Sequence, residues 1–380
     1  MLEFVFVLVL LSAWWWSTRR HTGLPPSPGI ALPVVGHLYL MEQDPTRLLQ
    51  AWRKKLGNVF SLKLGSKRVV FINGYDVIHE ALVKQHSVFM NRSDSFIHHH
   101  VMKGKGVASL KGEEWKVQRT LLRHSFRSMG IGKNVMAERI SIEIKFLLDA
   151  LKELKGEPTD VKKQISACVS NIVCNVTTGR RFDYQDPFFL NLQERLAIKH
   201  VDASFFPEIQ DKLYEEMKNV VGTDTLPNMS HKSKLKYLNA FIFETQRFGN
   251  VSATGLDRTA DVDTTLNGYF IPKGSLLITV FDSLFWDDKI WGDAMTFRPE
   301  RFLENGELTV KKEFLPFSVG RRNCVGESLA VMERYLIIAA LVHTFHLLPE
   351  DPNNLPTTKG IFGLTRTPHT FKVRAVLRGV

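Results

Sequence analysis

One cysteine constrains this chain more tightly than any other residue. Cys324 lies in the run Phe317-Ser318-Val319-Gly320-Arg321-Arg322-Asn323-Cys324-Val325-Gly326, and an apolar, helix-periodic stretch follows at once. Glycines at 320 and 326 let the backbone pass close to a flat group with no side chain in the way. Amides at the start of the following helix favour the thiolate over the thiol. Arg322, just before the thiol, is placed to pair with an acidic group of the same ligand. These features read as a thiolate ligand to iron and not as half of a disulfide. The bland alternative is a buried cysteine ahead of a helix.

Composition narrows the rest. At 380 residues and 44% apolar, the chain can bury a core in one large domain or two smaller ones. The cysteines are Cys168, Cys174 and Cys324, which is no disulfide framework and fits a reducing compartment. Cys168 and Cys174 fall on different faces of a helix and read as ordinary core residues. The net charge of +11 comes from scattered Lys and Arg. No interleaved aromatic and basic motif supports nucleic-acid binding. Attraction to an anionic membrane surface or an acidic redox partner suits the charge better.

Residues 1–16 are almost wholly apolar and close on Trp14, Trp15 and Trp16, with Arg19 and Arg20 following. An aromatic belt and a positive flank on the carboxyl side predict an uncleaved anchor with that end cytosolic. A cleaved signal peptide is the competing reading. Next comes Leu24-Pro25-Pro26-Ser27-Pro28-Gly29, then Pro33 and Gly36, which predicts a stiff extended strut.

Alternation around a Gly-Ser turn predicts a strand pair over 59–73. Helical spacing predicts helices over 76–84, 113–125, 134–155, 162–178, 208–221, 232–248 and 327–343. Short strands are expected over 264–280. The count describes a mainly α protein with small β-sheets. His98-His99-His100 cannot converge on one ion without a contorted backbone, so a solvent-facing loop is expected there.

Glu244 and Arg247 share one face of a predicted helix, most often a solvated ion pair. They precede Phe297-Arg298-Pro299-Glu300-Arg301-Phe302 and then the cysteine loop. Trp115 and Arg119 likewise share a helix face. Taken with the Phe-x-x-Gly-x-Arg-x-Cys-x-Gly pattern of residues 317–326, the chain resembles the cytochrome P450 family, animal microsomal type. The resemblance implies haem b with Cys324 as its axial thiolate, and Phe317, Gly320, Arg322 and Gly326 shaping the loop. It implies Trp115, Arg119 and Arg258 on the haem propionates, with Lys103 as a weaker addition. Relatives commonly show His-Arg where this chain has Asp257-Arg258; Asp257 cannot neutralise a propionate, so that contact falls to Arg258. Glu244, Arg247 and Arg301 would form a buried structural network.

The resemblance runs to about residue 183 and resumes at 207, covering most of the chain. Between those points the family carries several helices. One crosses the distal haem face with a small-Gly-x-acid-Thr-Thr pattern that is missing here. Asp202-Ala203-Ser204 is the nearest fragment and does not match, so no catalytic residue is nominated. The implied layout is a membrane anchor over 1–17, a basic and proline-rich hinge over 18–36, and a P450-like haem domain over 37–380, internally shortened near 188–206. The implied chemistry is insertion of one oxygen atom from dioxygen into a lipophilic small molecule. Electrons would come from NADPH through a flavoprotein reductase, at the endoplasmic reticulum membrane with the haem domain cytosolic. The alternative is a haem-binding protein that is inactive, or a chain that does not fold stably.

Overall fold

The computed structural model describes residues 12, 23–95, 97–186, 189, 207–363 and 365–379. The expected anchor, the basic start of the hinge and nearly all of the shortened region lie outside them. Among the described residues no helix is long and apolar enough to cross a membrane. The chain forms two compact units, one from residues 1–119, 252–290 and 317–323, the other from 120–251, 291–316 and 324–380.

The first unit is organised by a four-stranded sheet. Strands β1 (Val59–Leu64), β2 (Lys67–Ile72), β3 (Arg258–Thr259) and β4 (Leu276–Thr279) run in the order β1-β2-β4-β3. The β1/β2 pair is antiparallel and in register from Val59↔Ile72 to Leu64↔Lys67, while β2 and β4 are parallel. Val69, Val70, Phe71 and Ile72 are all buried, because β2 lies inside the sheet and is covered on both faces. Helix α1 (Thr46–Leu56) sets Leu49 and Trp52 on Phe60, Leu62 and Phe71. Phe60 stacks on Phe71 at 5.3 Å between ring centres. Helix α2 (Tyr75–His79) continues into a π-helical turn over Glu80–Lys84, and α3 spans Gly112–Ser128.

The proline-rich segment is strapped to this sheet. Ser61 donates its amide to the Pro26 carbonyl at 2.8 Å and its hydroxyl to Pro25 at 3.2 Å. The His37 amide bonds the Lys63 carbonyl at 2.6 Å, and His37 Nδ1 accepts the Lys63 amide at 2.8 Å. Prolines suit this position, because an edge partner need not donate at every residue.

The second unit is helical. Its helices are α4 (Asn134–Glu153), α5 (Val161–Thr178), α6 (Pro207–Val221), α7 (Lys236–Gly249) and α8 (Glu327–Thr344). An antiparallel pair, β5 (Phe345–Pro349) and β6 (Val373–Leu377), closes one side. The i, i+4 stripe Met136, Ile140, Ile144, Leu147 and Leu151 of α4 joins Ile165, Cys168 and Ile172 of α5 in one core. Leu329, Met332, Leu336 and Ala340 of α8 complete it. Cys168 and Cys174 are both buried. Glu216 of α6 caps α7 from outside, accepting the Tyr237 and Leu238 amides at 2.7 and 2.9 Å. These helices agree with their sequence expectations to within a few residues. The β5/β6 pair and the pairing of β3 with β4 were not foreseen, since strands this short carry little periodicity.

Ahead of the shortened region the chain is firmly held. Asn171 bonds both backbone groups of Phe182, at 2.8 and 2.9 Å, and Arg181 donates to buried Glu143 at 2.8 Å. Phe182 stacks on the fully buried ring of Phe189 at 5.3 Å.

Glu333 on α8 has 7% of its surface exposed, and its Oε1 has no hydrogen-bond partner among the described residues. Burial pushes its carboxyl up to about 8, with Arg334 pulling weakly the other way. The folded state therefore holds a proton that the unfolded chain releases above the ordinary value of 4.5. Its stabilising contribution is complete below that value and disappears as pH rises through about 8. Urea titrations across this window should show stability falling with pH, and Glu333→Gln should flatten that fall. An unchanged slope in the variant would reject the assignment.

Candidate functional site

The loop before Cys324 is shaped by backbone sterics. Ser318 and Gly320 have φ of 64° and 81°, and a Cβ on Gly320 would overlap the Leu82 carbonyl oxygen. Glycine is therefore required at 320 by both conformation and space. Phe317 is half-buried. Arg322 is buried and donates to the carbonyls of Met90, Val107 and Leu110 at 3.0, 3.4 and 2.6 Å. Arg119 reaches the same loop through α3, donating to the Asn323 carbonyl at 2.9 Å and its side chain at 2.6 Å.

Trp115, one turn before Arg119, joins these groups. Its ring lies 4.1 Å from the Arg322 guanidinium carbon and 5.7 Å from that of Arg119, both distances typical of cation–π contact. Its buried Nε1 has no hydrogen-bond partner among the described residues. Arg92 adds another cation, held by the carbonyls of Ala108, Leu256 and Asp257. Arg258 is buried, and among the described residues its guanidinium has no hydrogen-bond or ion-pair partner. Burial, then Arg92, Arg322 and Arg119, lower its pKa well below the usual arginine value. Burial also lowers Arg322 to about 9 and Arg92 to about 10, with Asp257 opposing the shift at Arg92.

Asp257 does not face this cluster alone. Its Oδ1 lies 3.1 Å from His98 Nε2, and its Oδ2 accepts from the Ser93 hydroxyl. His98 is 3% exposed, with Nδ1 2.9 Å from the Ser109 hydroxyl. The expectation that all three adjacent histidines face solvent is therefore wrong for His98. His99 and His100 are exposed. The partner that draws His98 inward is 159 positions away, which local spacing cannot reveal. Arg92, Ser93 and Ser109 were missed for the same reason. Lys103 is exposed, with a φ of 51°, on the turn after His98.

In the second unit, Cys324 is exposed and unpaired with another cysteine. Gly326 is the N-cap of α8, and a Cβ there would touch Cys324 Sγ at 4.0 Å. The short approach from sulfur to helix start leaves Sγ in the favourable field of the α8 amides. Among the described residues no three His, Cys, Asp or Glu side chains cluster to hold a metal ion. A single thiolate ligand needs no such cluster.

Glu244, Arg247 and Arg301 meet in the same unit. Glu244 receives Arg247 Nε at 2.7 Å and Nη2 at 2.8 Å, Arg301 Nε at 3.0 Å, and the Arg298 amide at 2.8 Å. Glu244 and Arg247 are both 0% exposed. The remaining guanidinium donors reach the Ala294, Trp291 and Thr296 carbonyls, and Arg301 Nη2 also donates to the Asp293 carboxylate at 3.1 Å. Arg301 is presented by the 3-10 turn Pro299–Phe302, which opens on proline at its first position.

These residues fit haem. Buried cations and an orphaned indole N–H suit the carboxylates of an otherwise apolar group, and a glycine-bordered, exposed thiol follows Arg322 in the chain. The description "Cytochrome P450" belongs to the family model that matches residues 25–201 and 206–375. Cytochrome P450 2J2 of Homo sapiens is 30% identical, covering 97% of this chain and 94% of its own length. Cytochrome P450 2J1 of Oryctolagus cuniculus is 29% identical over 98% and 95%. Cytochrome P450 2C13, male-specific, of Rattus norvegicus is 28% identical over 98% of each. The chain belongs to the cytochrome P450 family, whose members are monooxygenases that bind haem through a cysteine thiolate.

The shortening is also visible. The first alignment runs over 476 positions against a chain of 380 residues, so at least 96 positions of it lack a residue here. The family match breaks off after 201 and resumes at 206, inside the region where the sequence predicts a join.

Because Glu244 neutralises two buried guanidiniums, Glu244→Gln should destabilise the second unit by about 3–5 kcal/mol. Equilibrium denaturation of the purified variant measures this, and a loss below about 1 kcal/mol would show that the arginines find other partners.

Proposed function

We propose that Cys324 is the axial haem ligand of this chain and that Trp115, Arg119, Arg258 and Arg322 receive the haem carboxylates. The observation that carries this reading is the desolvated cluster of guanidiniums around an unsatisfied indole N–H. Such a cluster has a favourable charge balance only with an anion. Arg322 and Cys324 are two peptide units apart, about 7 Å at full extension, so one ligand can meet both. Phe317, Gly320 and Gly326 keep the loop thin and shaped. Glu244, Arg247 and Arg301 hold the segment before the loop in register.

When bound, haem supplies the one-electron chemistry that activates dioxygen. Cys324, just ahead of α8, would hold the iron, and a thiolate ligand there would supply it with electron density. The buried arginines orient the group and offset its carboxylate charge. The substrate class is a lipophilic small molecule. Exposed Lys116, Arg123 and Arg127 on α3, with the net charge of +11, suit an acidic partner, which supports an NADPH-dependent flavoprotein reductase as electron donor. The apolar run over 1–16 and the cations after it support an anchor in the endoplasmic reticulum membrane with the haem-binding part cytosolic.

A second reading, a haem protein without monooxygenase activity, is favoured by the shortening. Residues 184–206 contain no small-Gly-x-acid-Thr-Thr pattern to relay protons during oxygen activation.

Haemin titration followed by the reduced carbon-monoxide difference spectrum tests the ligand. The wild type should give the far-red Soret band of a thiolate-ligated haem, and Cys324→Ala should lose it. An identical spectrum in the variant would overturn the proposal. Arg258→Ala should weaken haemin binding by roughly tenfold or more, the scale of one charge-assisted hydrogen bond. Product formation coupled to NADPH use then separates monooxygenase from inactive haem protein.

A further inference from the structure

The second unit encloses a cavity of about 70 Å³ between α5, α7 and α8, walled mainly by hydrocarbon such as Ile165, Phe241 and Ile337. That is room for roughly five water molecules. Its lining positions on α8 run from Arg334 to Val342, about 12 Å along the helix axis. Ile337 lies about 15 Å beyond the start of α8, where Cys324 sits, so the cavity is separate from the thiol. Each water would need two to four polar partners, and these walls do not supply them.

The few polar groups at the cavity are of one kind. Arg334 and Lys162 both line it. Arg334 Nε donates to the Ala330 carbonyl at 3.2 Å, and the Gln246 side-chain amide lies 2.6 Å from its guanidinium. Neither of those partners carries a counter-charge. Burial lowers the pKa of Arg334 to about 10, with Glu333, Cys324 and Glu327 opposing the shift, so the group stays charged at neutral pH. Lys232 adds to the field: burial and then Arg334 lower its pKa.

Thr245, next to Gln246 in the chain, also lines the cavity. Its Oγ1 is buried and has no hydrogen-bond partner among the described residues. A buried hydroxyl without a partner is costly, and valine would fill the same space without that cost. A cation, an orphaned donor and an apolar chamber together match a ligand with an anionic head and a short hydrocarbon tail.

We propose that this cavity binds an aliphatic monocarboxylate of about six carbons, its head on Arg334 and Thr245 and its tail along the apolar face of α8. The carboxylate meets the guanidinium in a charge-assisted hydrogen bond and accepts the Thr245 hydroxyl. The tail replaces empty space with apolar contact. The inference does not depend on the haem reading, because every residue it uses lies away from Cys324.

Hydrogen exchange by mass spectrometry on the full chain, with and without haemin, tests it with hexanoate as the probe. Hexanoate should slow exchange in peptides covering 236–249 and 327–344 in both forms, while hexylamine should not. Arg334→Gln should weaken the apparent affinity by roughly tenfold, the scale of one charge-assisted hydrogen bond. Ile337→Trp, which fills the cavity, should abolish the protection, and if that variant does not fold, Arg334→Gln decides alone. Thr245→Val should weaken hexanoate binding yet raise the thermal midpoint of the ligand-free chain. Protection that persists in folded Ile337→Trp, or appears only with haemin, would place hexanoate elsewhere and overturn the inference. Equal protection by hexanol, an unchanged affinity in Arg334→Gln, or no protection by hexanoate would overturn it too. A lower midpoint for Thr245→Val would show that the hydroxyl already has a partner and would remove it from the site.

Discussion

Burial, followed by like-charge crowding, sets the electrostatics of the arginine cluster in the first unit. Arg92, Arg119, Arg258 and Arg322 are brought from four separate stretches of sequence into mutual electrostatic range, and burial strips them of the water that would screen them. Each ion is restrained differently. Arg92 and Arg322 are tied to backbone carbonyls, Arg119 to Asn323, and Arg258 to no partner among the described residues. Carbonyl dipoles position a guanidinium without cancelling its charge, so the cluster keeps a net positive charge.

The second unit treats buried arginine in the opposite way. There Glu244 accepts from Arg247, Arg301 and the Arg298 amide, and the leftover donors find carbonyls and the Asp293 carboxylate. Its charge is offset internally, which makes it a fastener and leaves it little capacity to bind. The same residue type is thus held mainly by carbonyls in one place and by carboxylates in the other.

A cavity of about 70 Å³ remains in the second unit, lined mainly by apolar side chains such as Ile165 of α5, Phe241 and Ile242 of α7, and Ile337 and Leu341 of α8. The core helices nonetheless pack on one another, and Arg181, Asn171 and Phe189 hold the chain up to the edge of the region. The helical core of the second unit is therefore packed in a chain at least 96 positions shorter than its alignment with a relative.

Local pattern alone was enough for the helices, whose apolar residues recur with the helical period, and for the Cys324 loop, whose glycines, arginine and thiol sit side by side. It also led to the expectation of an internal shortening, because residues 184–206 lack the small-Gly-x-acid-Thr-Thr pattern. Long-range packing decided the rest. His98 is buried because Asp257 and Ser109 meet it, the proline segment lies along β1 because Ser61 and Lys63 bond it, and Arg92 joins the cluster through carbonyls far along the chain. Periodicity and motif spacing report only neighbours within a few turns. Buried charges and their hydrogen bonds depend on which distant backbone groups the fold brings within about 3 Å.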